Sequence, residues 1–359
     1  MTAKRPTIAD IARRAGVSTG AVSYALNGQS GVSPHTRDRI LHIADEIGWR
    51  PSIAARSLSG SRAHAVGLVI ARTVRTLGVE PFFMQFIAGV ESVLSAQQTA
   101  LLLQVVPDHA AANVAARQWW AERRVDGIIV TDLWADDDRI PTLLQIGVPA
   151  VIVGRPHEDV PLPGVWSDDA AAVESVVDYL VAMGHRRIAR VAGLETLEHT
   201  QVRTAAFLAA TSRHGVESAD ILSTDYTQEQ GARATRRLLT SVRPPTAITY
   251  DNDVMALAGL GVAREMNIAV PEQLSIVAGD DSQLCVLVHP SLTSLSRDIT
   301  AYGANAARLL LRHLDGEAVT SFQDATAHLI PRESTAAAPD VDDRLRVARR
   351  PARKRATPG

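Results

Sequence analysis

Residues 7–27 read TIADIARRAGVSTGAVSYALN, and this stretch decides the fold of the N-terminal region. Thr7 and Asp10 have the spacing of a capping box, which favours the start of a helix. Gly16 can take the positive φ that a tight turn needs, and Ser18 can cap a second helix through its hydroxyl group. Apolar residues recur at helical spacing on both sides of that turn, at Ile8, Ile11, Ala12, Ala15, Val22, Ala25 and Leu26. The stretch therefore predicts two short helices joined by a tight turn.

A helix pair of this kind has the geometry of a DNA-binding helix-turn-helix, in which the second helix enters the major groove. The outward positions of the second helix carry small or neutral polar groups that can lie against base edges: Thr19, Gly20, Ser23, Tyr24 and Asn27. An ordinary helical hairpin is the better interpretation of these residues taken alone. The choice between the two interpretations therefore depends on the rest of the chain.

Length and composition limit the class of protein. A chain of 359 residues predicts two or three folded units, and a hydrophobic content of 46% is enough to form their cores. The single cysteine, Cys285, cannot form an intrachain disulfide, and the sequence shows neither a secretory signal nor an apolar run long enough to span a membrane. We therefore expect a soluble, cytoplasmic protein with no membrane partner.

The distribution of charge along the chain favours DNA binding, although the net charge of the whole chain does not. The whole chain has a formal net charge of −2, but residues 1–62 carry nine lysines and arginines against four acids, a balance of +5. A basic N-terminal region on a mildly acidic remainder is typical of a DNA-binding domain joined to a second function.

Residues 33–48 predict a third helix. Ser33 can cap it, Pro34 fits its first turn, and Gly48 can end it. Its buried stripe consists of Ile40, Ile43, Ala44 and Ile47. The sequence thus predicts a three-helix DNA-binding domain over residues 1–50.

Residues 51–62 predict a hinge helix. The segment PSIAARSLSG at 51–60 is bracketed by proline and glycine, and a helix of that length is barely stable alone in water. Ala55 is small enough to lie against a groove floor, and Leu58 has no core of its own and is suited to wedging between base steps in the minor groove. The alternative is a plain linker. We favour the hinge because a helix-turn-helix pattern lies just upstream.

The two segments TIADIARRAGVSTGAVSYALNG and VSPHTRDRILHIADEIGWRPSIAARSLSG closely resemble the head of the lactose-repressor (LacI/GalR) family of bacterial transcription regulators. The resemblance implies that the second helix reads the major groove and that the hinge helices of a dimer lie in the minor groove. It implies base contacts for Thr19, Gly20 and Tyr24, minor-groove contacts for Ala55 and Leu58, and positions near phosphates for Ser18, Ser23, Asn27 and Arg56. Thr7 completes the predicted DNA-binding set.

Tyr24 is a departure from the family pattern. Many members carry arginine at this position, and arginine can form bidentate hydrogen bonds with guanine. Tyrosine offers one hydroxyl group and a ring edge. The resemblance therefore does not transfer any member's operator sequence to this chain.

The remainder of the chain alternates strand and helix patterns. Apolar strand segments include VGLVIA at 66–71, ALLLQVV at 100–106, GIIVTD at 127–132, AVIVG at 150–154, RIARVAG at 187–193, a segment near 221, TAITYD at 246–251 and LSIVAGDD at 274–281. Helical spacing follows most of them, over 83–96, through Trp119 and Trp120, and over 169–183, 201–214 and 253–266. Serial βαβ units predict an α/β fold with two doubly wound parallel subdomains.

The resemblance extends, more weakly, to about residue 335. It implies an effector-binding and dimerisation domain over 63–335 with a periplasmic-binding-protein-like fold whose subdomains exchange strands near 161, 291 and 320. The predicted N-subdomain is about 63–161 plus 292–320, and the C-subdomain about 162–291 plus 321–335. Residues 336–359 are basic and lack periodicity, so we expect a disordered tail without the leucine heptads of a tetramerising coiled coil. Non-specific attraction to phosphate and no role at all are the two interpretations of that tail.

Ligands of open α/β sheets bind at the carboxyl ends of the strands, so the cleft between the subdomains is the predicted effector site. Phe82, Phe83, Arg155, Trp166, Asp168 and Asp281 follow strands or a crossing between the subdomains, whereas Arg203 and Asp253 match family residues that hold effector oxygens or nitrogens. Arginines facing carboxylates between aromatic walls suit a sugar. Each residue also has a simpler interpretation, as core for the phenylalanines and as solvated ion pairs for the arginines.

We therefore predict a dimeric transcriptional repressor that binds a near-palindromic double-stranded operator under the control of a small-molecule effector, a sugar by analogy. The sequence contains no metal-spaced histidine pair, no nucleophile elbow and no phosphate-binding glycine loop, so we expect no enzyme activity, cofactor or metal. A transporter's solute-binding protein is the competing hypothesis, but it requires export and leaves the basic N-terminal region unexplained. A sugar-processing enzyme is a weaker third hypothesis.

Overall fold

A computed structural model of the chain describes residues 6–49, 62–72, 80–157 and 160–339. The chain divides into two units, Met1–Ala63 and His64–Gly359, which we call the head and the body. The predicted hinge residues Ala55, Arg56 and Leu58 lie outside the described residues.

The described part of the head contains three helices, α1 (Ile8–Ala15), α2 (Thr19–Leu26) and α3 (Pro34–Glu46). They pack around Ile11, Val22 and Ile40, whose side chains are completely buried. The predicted helix pair and third helix are confirmed.

The helix ends of the head form as the sequence predicts. Thr7 and Asp10 form a reciprocal capping box, with the backbone N–H of Thr7 donating to Asp10 Oδ2 over 2.9 Å. Gly16 ends α1 in the left-handed region at φ 64°, where a side chain would be strained. Ser18 and Ser33 cap α2 and α3 through their hydroxyl oxygens. These caps and the turn at Gly16 fix where the helices of the head begin and where α1 ends.

The body contains twelve described strands in two sheets. The strands are β1 (Ala65–Ala71), β2 (Ala100–Val106), β3 (Gly127–Val130), β4 (Ala150–Val153), β5 (Gly164–Trp166), β6 (Arg187–Ala192), β7 (Ser218–Ser223), β8 (Ala247–Tyr250), β9 (Ser275–Ala278), β10 (Thr293–Ser296), β11 (Phe322–Gln323) and β12 (His328–Ile330). The described helices are α4 (Pro81–Ala96), α5 (His109–Ala121), α6 (Arg139–Ile146), α7 (Asp169–Ala182), α8 (Glu198–Arg213), α9 (Gln228–Leu239), α10 (Asp253–Glu265), α11 (Gln283–Leu287) and α12 (Ile299–Leu314).

Each sheet has six strands. The first has the order β11-β5-β4-β3-β1-β2 and the second β12-β10-β9-β8-β6-β7. The described pairings are parallel except for β12, which pairs antiparallel with β10. Crossover helices make these parallel connections possible, and the prediction of two doubly wound subdomains is confirmed. Within the described residues, no helix is both long and apolar enough to cross a membrane.

The strand exchanges between the sheets fall a few residues later than we predicted. β5 belongs to the first sheet, so the chain crosses after Trp166 and not near 161. β10 still belongs to the second sheet and β11 to the first, which places the other crossings after Ser296 and Gln323. The differences arise because β5, β10 and β11 are short strands with only a few paired residues.

Helix α12, which the strand-and-helix pattern did not predict, follows the second crossing and leads the chain back to the first sheet. It packs closely on α4: a Cβ atom on Gly89 would lie 1.9 Å from the carbonyl oxygen of Thr300, and one on Gly303 would lie 2.2 Å from that of Phe86. Glycine is required at both positions because two helix backbones approach there without room for a side chain.

The start of the predicted tail is also corrected. Ala336 O accepts a hydrogen bond from the hydroxyl of Ser275 over 3.3 Å, and the N–H of Ala338 donates to the carbonyl of Met183 over 2.8 Å. These bonds attach residues 336–338 to the C-subdomain. Residues 340–359 lie outside the described part of the chain.

Candidate functional sites in the head and the body

Helix α2 presents the predicted base-contacting residues on its exposed side. Of the seven predicted DNA-binding residues in the described head, Ser23 is half-buried and the others are exposed: Thr7, Ser18, Thr19, Gly20, Tyr24 and Asn27. Ser18 Oγ accepts a hydrogen bond from the N–H of Ala21 over 3.1 Å, which fixes the start of α2. The helix end that would enter a groove is therefore formed before DNA is present.

Tyr24 is the large side chain on this face, and 49% of it is exposed. Its ring lies against Gly31, where a Cβ atom would approach Tyr24 Cδ2 to 3.6 Å. Gly31 has φ 112°, a backbone conformation that suits glycine. The loop after α2 therefore supports one side of the Tyr24 ring and leaves its other side accessible.

The body contains a cavity of about 220 Å³ between its two subdomains. The loops that follow the carboxyl ends of strands from both sheets form its walls, as expected for open α/β sheets. These loops contribute Arg72, Asp132, Arg155, Tyr226, Asp251, Asp280 and Arg297.

Six of the eight predicted effector residues line this cavity: Phe82, Phe83, Arg155, Trp166, Asp168 and Arg203. Phe83 is only 1% exposed and also belongs to the core beneath the cavity, as the simpler interpretation of that residue predicted. The cavity brings Arg203 of the C-subdomain together with Phe82 and Arg155 of the N-subdomain. These residues are far apart in sequence and meet only through the strand-end geometry.

The structure does not bring the other two predicted residues, Asp253 and Asp281, to the cavity wall. Asp253 begins α10 and is 1% exposed. Asp281 forms an ion pair with Arg332 at 2.7 Å and accepts a hydrogen bond from Ser294 Oγ at 2.7 Å. Asp251 and Asp280 line the cavity instead, because each lies closer to the end of its strand.

Buried ion pairs hold several charges of the cavity in place. Arg72 Nε donates to Asp132 Oδ2 at 2.8 Å, and Arg203 Nη2 donates to Asp169 Oδ1 at 2.7 Å. Burial alone would raise the pKa of Asp132 and Asp169, but the neighbouring guanidinium groups of Arg72 and Arg203 hold both pKa values below the ordinary range. These pairs are organised before any ligand binds.

Asp251 is held by a second set of contacts. Arg190 donates to both of its carboxylate oxygens at 2.8 and 2.7 Å, and the N–H of Gly193 donates to Oδ2 at 2.8 Å. A Cβ atom on Gly193 would lie 1.9 Å from Tyr226 Cζ, so glycine makes room for the ring of Tyr226.

Aromatic rings and guanidinium groups alternate around the cavity. Arg72 lies over the ring of Tyr226 at 4.9 Å and Arg155 over that of Trp166 at 5.7 Å. Arg297 lies 5.5 Å from the rings of both Phe82 and Tyr302. Flat apolar faces next to hydrogen-bond donors suit a ligand that is apolar on its faces and polar at its edges.

Two cavity residues have left-handed backbones. Asp132 has φ 54° and Tyr226 has φ 68°, although neither is glycine. Such conformations cost free energy and occur where the surrounding structure holds a side chain in a required place. Arg72 contacts both residues, through the ion pair with Asp132 and the cation–π contact with Tyr226.

The two subdomains also touch beside the cavity. The N–H of Glu198, in the C-subdomain, donates to the carbonyl of Leu133, in the N-subdomain, over 2.8 Å. Trp134 and Leu197 form an isolated antiparallel bridge next to it. These backbone bonds hold the cleft closed on one side.

Several buried polar atoms of the cavity wall have no hydrogen-bond partner within the part of the chain that the structure describes. They are Arg72 Nη1, Glu80 Oε2 and Thr131 Oγ1. Burial raises the pKa of Glu80 to about 8 and that of Asp280 to about 6, and it lowers the pKa of His199 to about 4. At neutral pH, the wall therefore holds a mixture of charged and neutral groups.

The described residues include one group of metal-ligand type. Ligand atoms of His109, Asp137 and Asp138 lie within 4.8 Å of one another. Arg139 donates to both oxygens of Asp137, from Nε at 2.9 Å and from Nη2 at 2.6 Å, and so occupies the place of a cation there. The arrangement fits an arginine ion pair better than a metal.

Sequence reasoning missed Arg72, Glu80, Asp169, Tyr226 and Arg297. Arg72 and Arg297 come directly after the strands β1 and β10, so the strand-end rule applied to every strand would have identified Arg72. β10 itself was not predicted, and Arg297 was missed with it. Asp169 was assigned to a helix, whose first turn proves to lie on the cavity wall.

Comparison with known proteins gives matches over both units. The model of "Bacterial regulatory proteins, lacI family" matches residues 7–52, and that of "Periplasmic binding protein-like domain" matches residues 177–335. The HTH-type transcriptional regulator CelR of Thermobifida fusca is 31% identical over 338 residues, which cover 92% of this chain and 98% of that protein.

Solved structures show the same similarity. A complex of transcriptional regulator CelR with cellobiose has a TM-score of 0.70 at 30% identity, covering 92% of this chain and all of that one. The lac repressor dimer bound to operator and the anti-inducer ONPF has a TM-score of 0.82 at 26% identity, covering 93% of this chain and all of that one.

Proposed function

The chain belongs to the LacI family of bacterial regulatory proteins, and from that premise we propose that it is a homodimeric repressor whose affinity for its operator is set by a sugar bound in the body. DNA binding and transcription regulation follow from family membership. The sign of regulation, the effector class and the roles of individual residues are the proposal.

One observation carries the effector assignment: Arg203, Asp169 and Arg297 line the same cavity as the rings of Phe82, Trp166 and Tyr302. Forked guanidinium donors and ionised carboxylates can hold neighbouring hydroxyl groups from two sides, and aromatic faces can cover the apolar face of a sugar ring. The similarity to CelR, whose structure was solved with cellobiose, supports a carbohydrate.

The head supports DNA binding of the helix-turn-helix kind. Its α2 exposes Thr19, Gly20 and Tyr24, which we assign to base contacts, while Ser18, Ser23 and Asn27 lie where phosphate contacts are expected. A dimer would place two such helices on half-sites about 34–36 Å apart on a near-palindromic operator.

The cavity provides a means of control. A ligand there would contact the N-subdomain through Arg72 and Phe82 and the C-subdomain through Arg203 and Tyr226. Binding energy that depends on the closure of the cleft shifts the body between two arrangements, and coupling of this kind is typically about 1–3 kcal/mol. We propose that a sugar acts as an inducer and weakens operator binding.

Operator binding can be tested by selecting the genomic DNA fragments that bind to the purified full-length protein. We expect one or a few near-palindromic sites to be enriched over random DNA, and the variant Tyr24→Ala to lose this enrichment. Leu41→Ala serves as the matched control because Leu41 is exposed on α3 of the same unit. Equal retention of all fragments, with and without sugars, would contradict operator binding.

The effector can be tested by thermal shift with a panel of uncharged mono- and disaccharides that includes cellobiose. A ligand specific for the folded state raises the Tm. We expect a sugar that raises the Tm also to release the operator. A sugar that raises the Tm but tightens operator binding would be a co-repressor and not an inducer.

The hinge can be tested by Leu58→Ala. We expect operator binding to weaken while binding of the sugar in the body remains, because the wedge in the minor groove would be lost. Equal operator affinity in the variant would favour the plain linker.

The transporter alternative is less well supported. A solute-binding protein would use the body alone, whereas the similarity to CelR covers 92% of this chain and the family match includes residues 7–52 of the head. Incubation with the sugar panel, followed by analysis of products, tests the third hypothesis of an enzyme.

A further inference from the structure

Glu80 occupies an unusual position for a carboxyl group. It directly precedes Pro81 at the start of α4, but its side chain makes no capping hydrogen bond with that helix. The residue is 7% exposed and lines the cavity. A buried carboxyl group at this place is available to a ligand and is not needed to cap α4.

Glu80 and two other residues of the cavity wall have unused hydrogen-bonding capacity. Glu80 Oε2, Arg72 Nη1 and Thr131 Oγ1 are buried and have no partner among the described residues. All three side chains line the cavity, and each residue is less than one-tenth exposed. Buried polar groups are nearly always hydrogen-bonded, so a ligand that fills the cavity is the expected partner.

The charges that face Glu80 come from four elements, and most are negative. Arg72, after β1, is the nearby cation, but its Nε is already bonded to Asp132 after β3. Asp280, after β9, and Asp253, at the start of α10, add further negative charge. Burial, the largest effect, disfavours an ionised carboxylate, and the three acids further oppose ionisation against the stabilising charge of Arg72.

We propose that Glu80 binds the effector as a neutral carboxylic acid, which donates a hydrogen bond to a hydroxyl or ring oxygen of an uncharged sugar, so that effector binding depends on the protonation of this residue. The proposal rests on the proposed function only in taking the cavity as the effector site. Arg72 Nη1 donates to the same part of the ligand, and Thr131 Oγ1 either donates or accepts.

The pH range from 7 to 9 spans the pKa of Glu80 and lies above the pKa values of His199 and Asp280, two other groups of the cavity wall. Burial raises the pKa of Glu80 to about 8, whereas His199 titrates near 4 and Asp280 near 6. Burial also raises the pKa of Tyr226 and Tyr302 well above their usual values. A loss of affinity between pH 7 and 9 that is absent from Glu80→Gln would therefore report on Glu80.

The first test needs no ligand. Infrared spectra of full-length protein labelled with ¹³C-glutamate show whether a protonated glutamic acid persists at pH 7. We expect a carbonyl band of a neutral acid that disappears with a midpoint near pH 8 and is absent from Glu80→Gln. The control Glu91→Gln, in the helix α4 that Glu80 precedes but outside the cavity lining, should keep the band. A fully ionised Glu80 at pH 7 would overturn the proposal.

The second test measures binding of cellobiose, or of whichever uncharged sugar in the panel raises the Tm, by calorimetry at pH 7 and pH 9. The protonated fraction of a group with a pKa of about 8 falls about tenfold over this range, so the affinity should fall about tenfold. In Glu80→Gln, the ratio of the two affinities should be close to one, because an amide does not titrate.

The outcomes separate this proposal from the proposed function. The same pH ratio in wild type and Glu80→Gln would overturn the proposal while leaving the sugar assignment intact. A neutral Glu80 in the infrared spectrum together with no binding of any sugar would refute the sugar assignment but support the protonated state of Glu80.

Discussion

Arg203 donates to Asp169 over 2.7 Å, and this pair joins two helices of the C-subdomain at the wall of the cavity. Arg203 lies in α8 and Asp169 begins α7. The two side chains are only 14% and 21% exposed, so the pair is shielded from solvent. It fixes the direction of the guanidinium group before a ligand arrives, which reduces the entropy lost on binding.

Replacement of Arg203 should therefore affect both the ligand and the fold. In Arg203→Ala, Asp169 loses its partner while remaining largely buried, and we expect a loss of stability of up to about 3 kcal/mol together with loss of the effector response. Chemical denaturation and operator release by the sugar measure the two effects. Arg213→Ala, on the same helix but half-exposed, is the matched control and should change stability by less than about 1 kcal/mol. An intact effector response in Arg203→Ala would remove this residue from the site.

Substitution of Tyr24 should change the sequence of the operator. In Tyr24→Arg, a forked donor replaces one hydroxyl group, and we expect one position in each half-site to change to a G·C pair. The discrimination should be about 1–3 kcal/mol at that position. Selection from a randomised operator library measures the change.

The control for this experiment adds the same charge elsewhere on the head. Leu41→Arg should strengthen binding to all sequences or leave it unchanged, without a new base preference, because Leu41 is exposed on α3. Identical consensus sequences for Tyr24→Arg and wild type would show that Tyr24 does not face a base.

The contact between α4 and α12 should not tolerate a side chain at Gly89. In Gly89→Ala, the added Cβ would lie 1.9 Å from the Thr300 carbonyl oxygen, so one helix must move. We expect a loss of stability of about 3 kcal/mol or more, at the upper end of overpacking effects. Urea denaturation measures this loss.

Gly261→Ala is the matched control, because Gly261 lies inside helix α10 with no atom within 4 Å of an added Cβ. There the helix propensity of alanine should stabilise the protein by about 0.5–1 kcal/mol. Equal stability of the two variants would mean that α4 and α12 pack less closely than described.

The pH dependence of stability should identify Glu80. Burial raises the pKa of Glu80 from 4.5 to about 8, so the folded state holds its proton more tightly than the unfolded state. A raised pKa contributes stability that is fully present below pH 4.5 and is lost as the pH rises through about 8. At 1.36 kcal/mol per pKa unit, the whole change is at most about 4–5 kcal/mol.

The measurement is the difference in unfolding free energy between wild type and Glu80→Gln from pH 5 to pH 9. Wild type should lose stability relative to the variant across this range, because only wild type must ionise a buried acid. Glu91→Gln should follow wild type at every pH. A difference that does not change with pH would contradict the raised pKa.

Local features of the sequence were enough to predict the head. Thr7, Ser18 and Ser33 act as caps, and Gly16 turns the chain, because each depends on residues only a few positions away. The parallel body was predictable for a similar reason. Strands such as β3 and β4 are continuous apolar runs, and their alternation with helices leaves few possible topologies.

The location of the cavity could be predicted from the sequence, but the set of residues that line it could not. The strand-end rule selected Arg155 and the family resemblance selected Arg203, and both residues line the cavity. The choice of Asp251 and Asp280 over Asp253 and Asp281 depends on where each strand ends, and a difference of one or two residues changes whether a side chain lines the cavity or lies outside it.

The sequence by itself determined the class of both units, because caps, helical spacing and apolar runs are local properties of the chain. Only the tertiary structure decided the strand exchanges after Trp166, Ser296 and Gln323, since the short strands there are stabilised by pairing with distant neighbours. The same holds for the environment of Glu80. Its burial and the charges of Arg72, Asp132, Asp253 and Asp280 come from residues up to 200 positions away in the sequence, and only the folded chain brings them together.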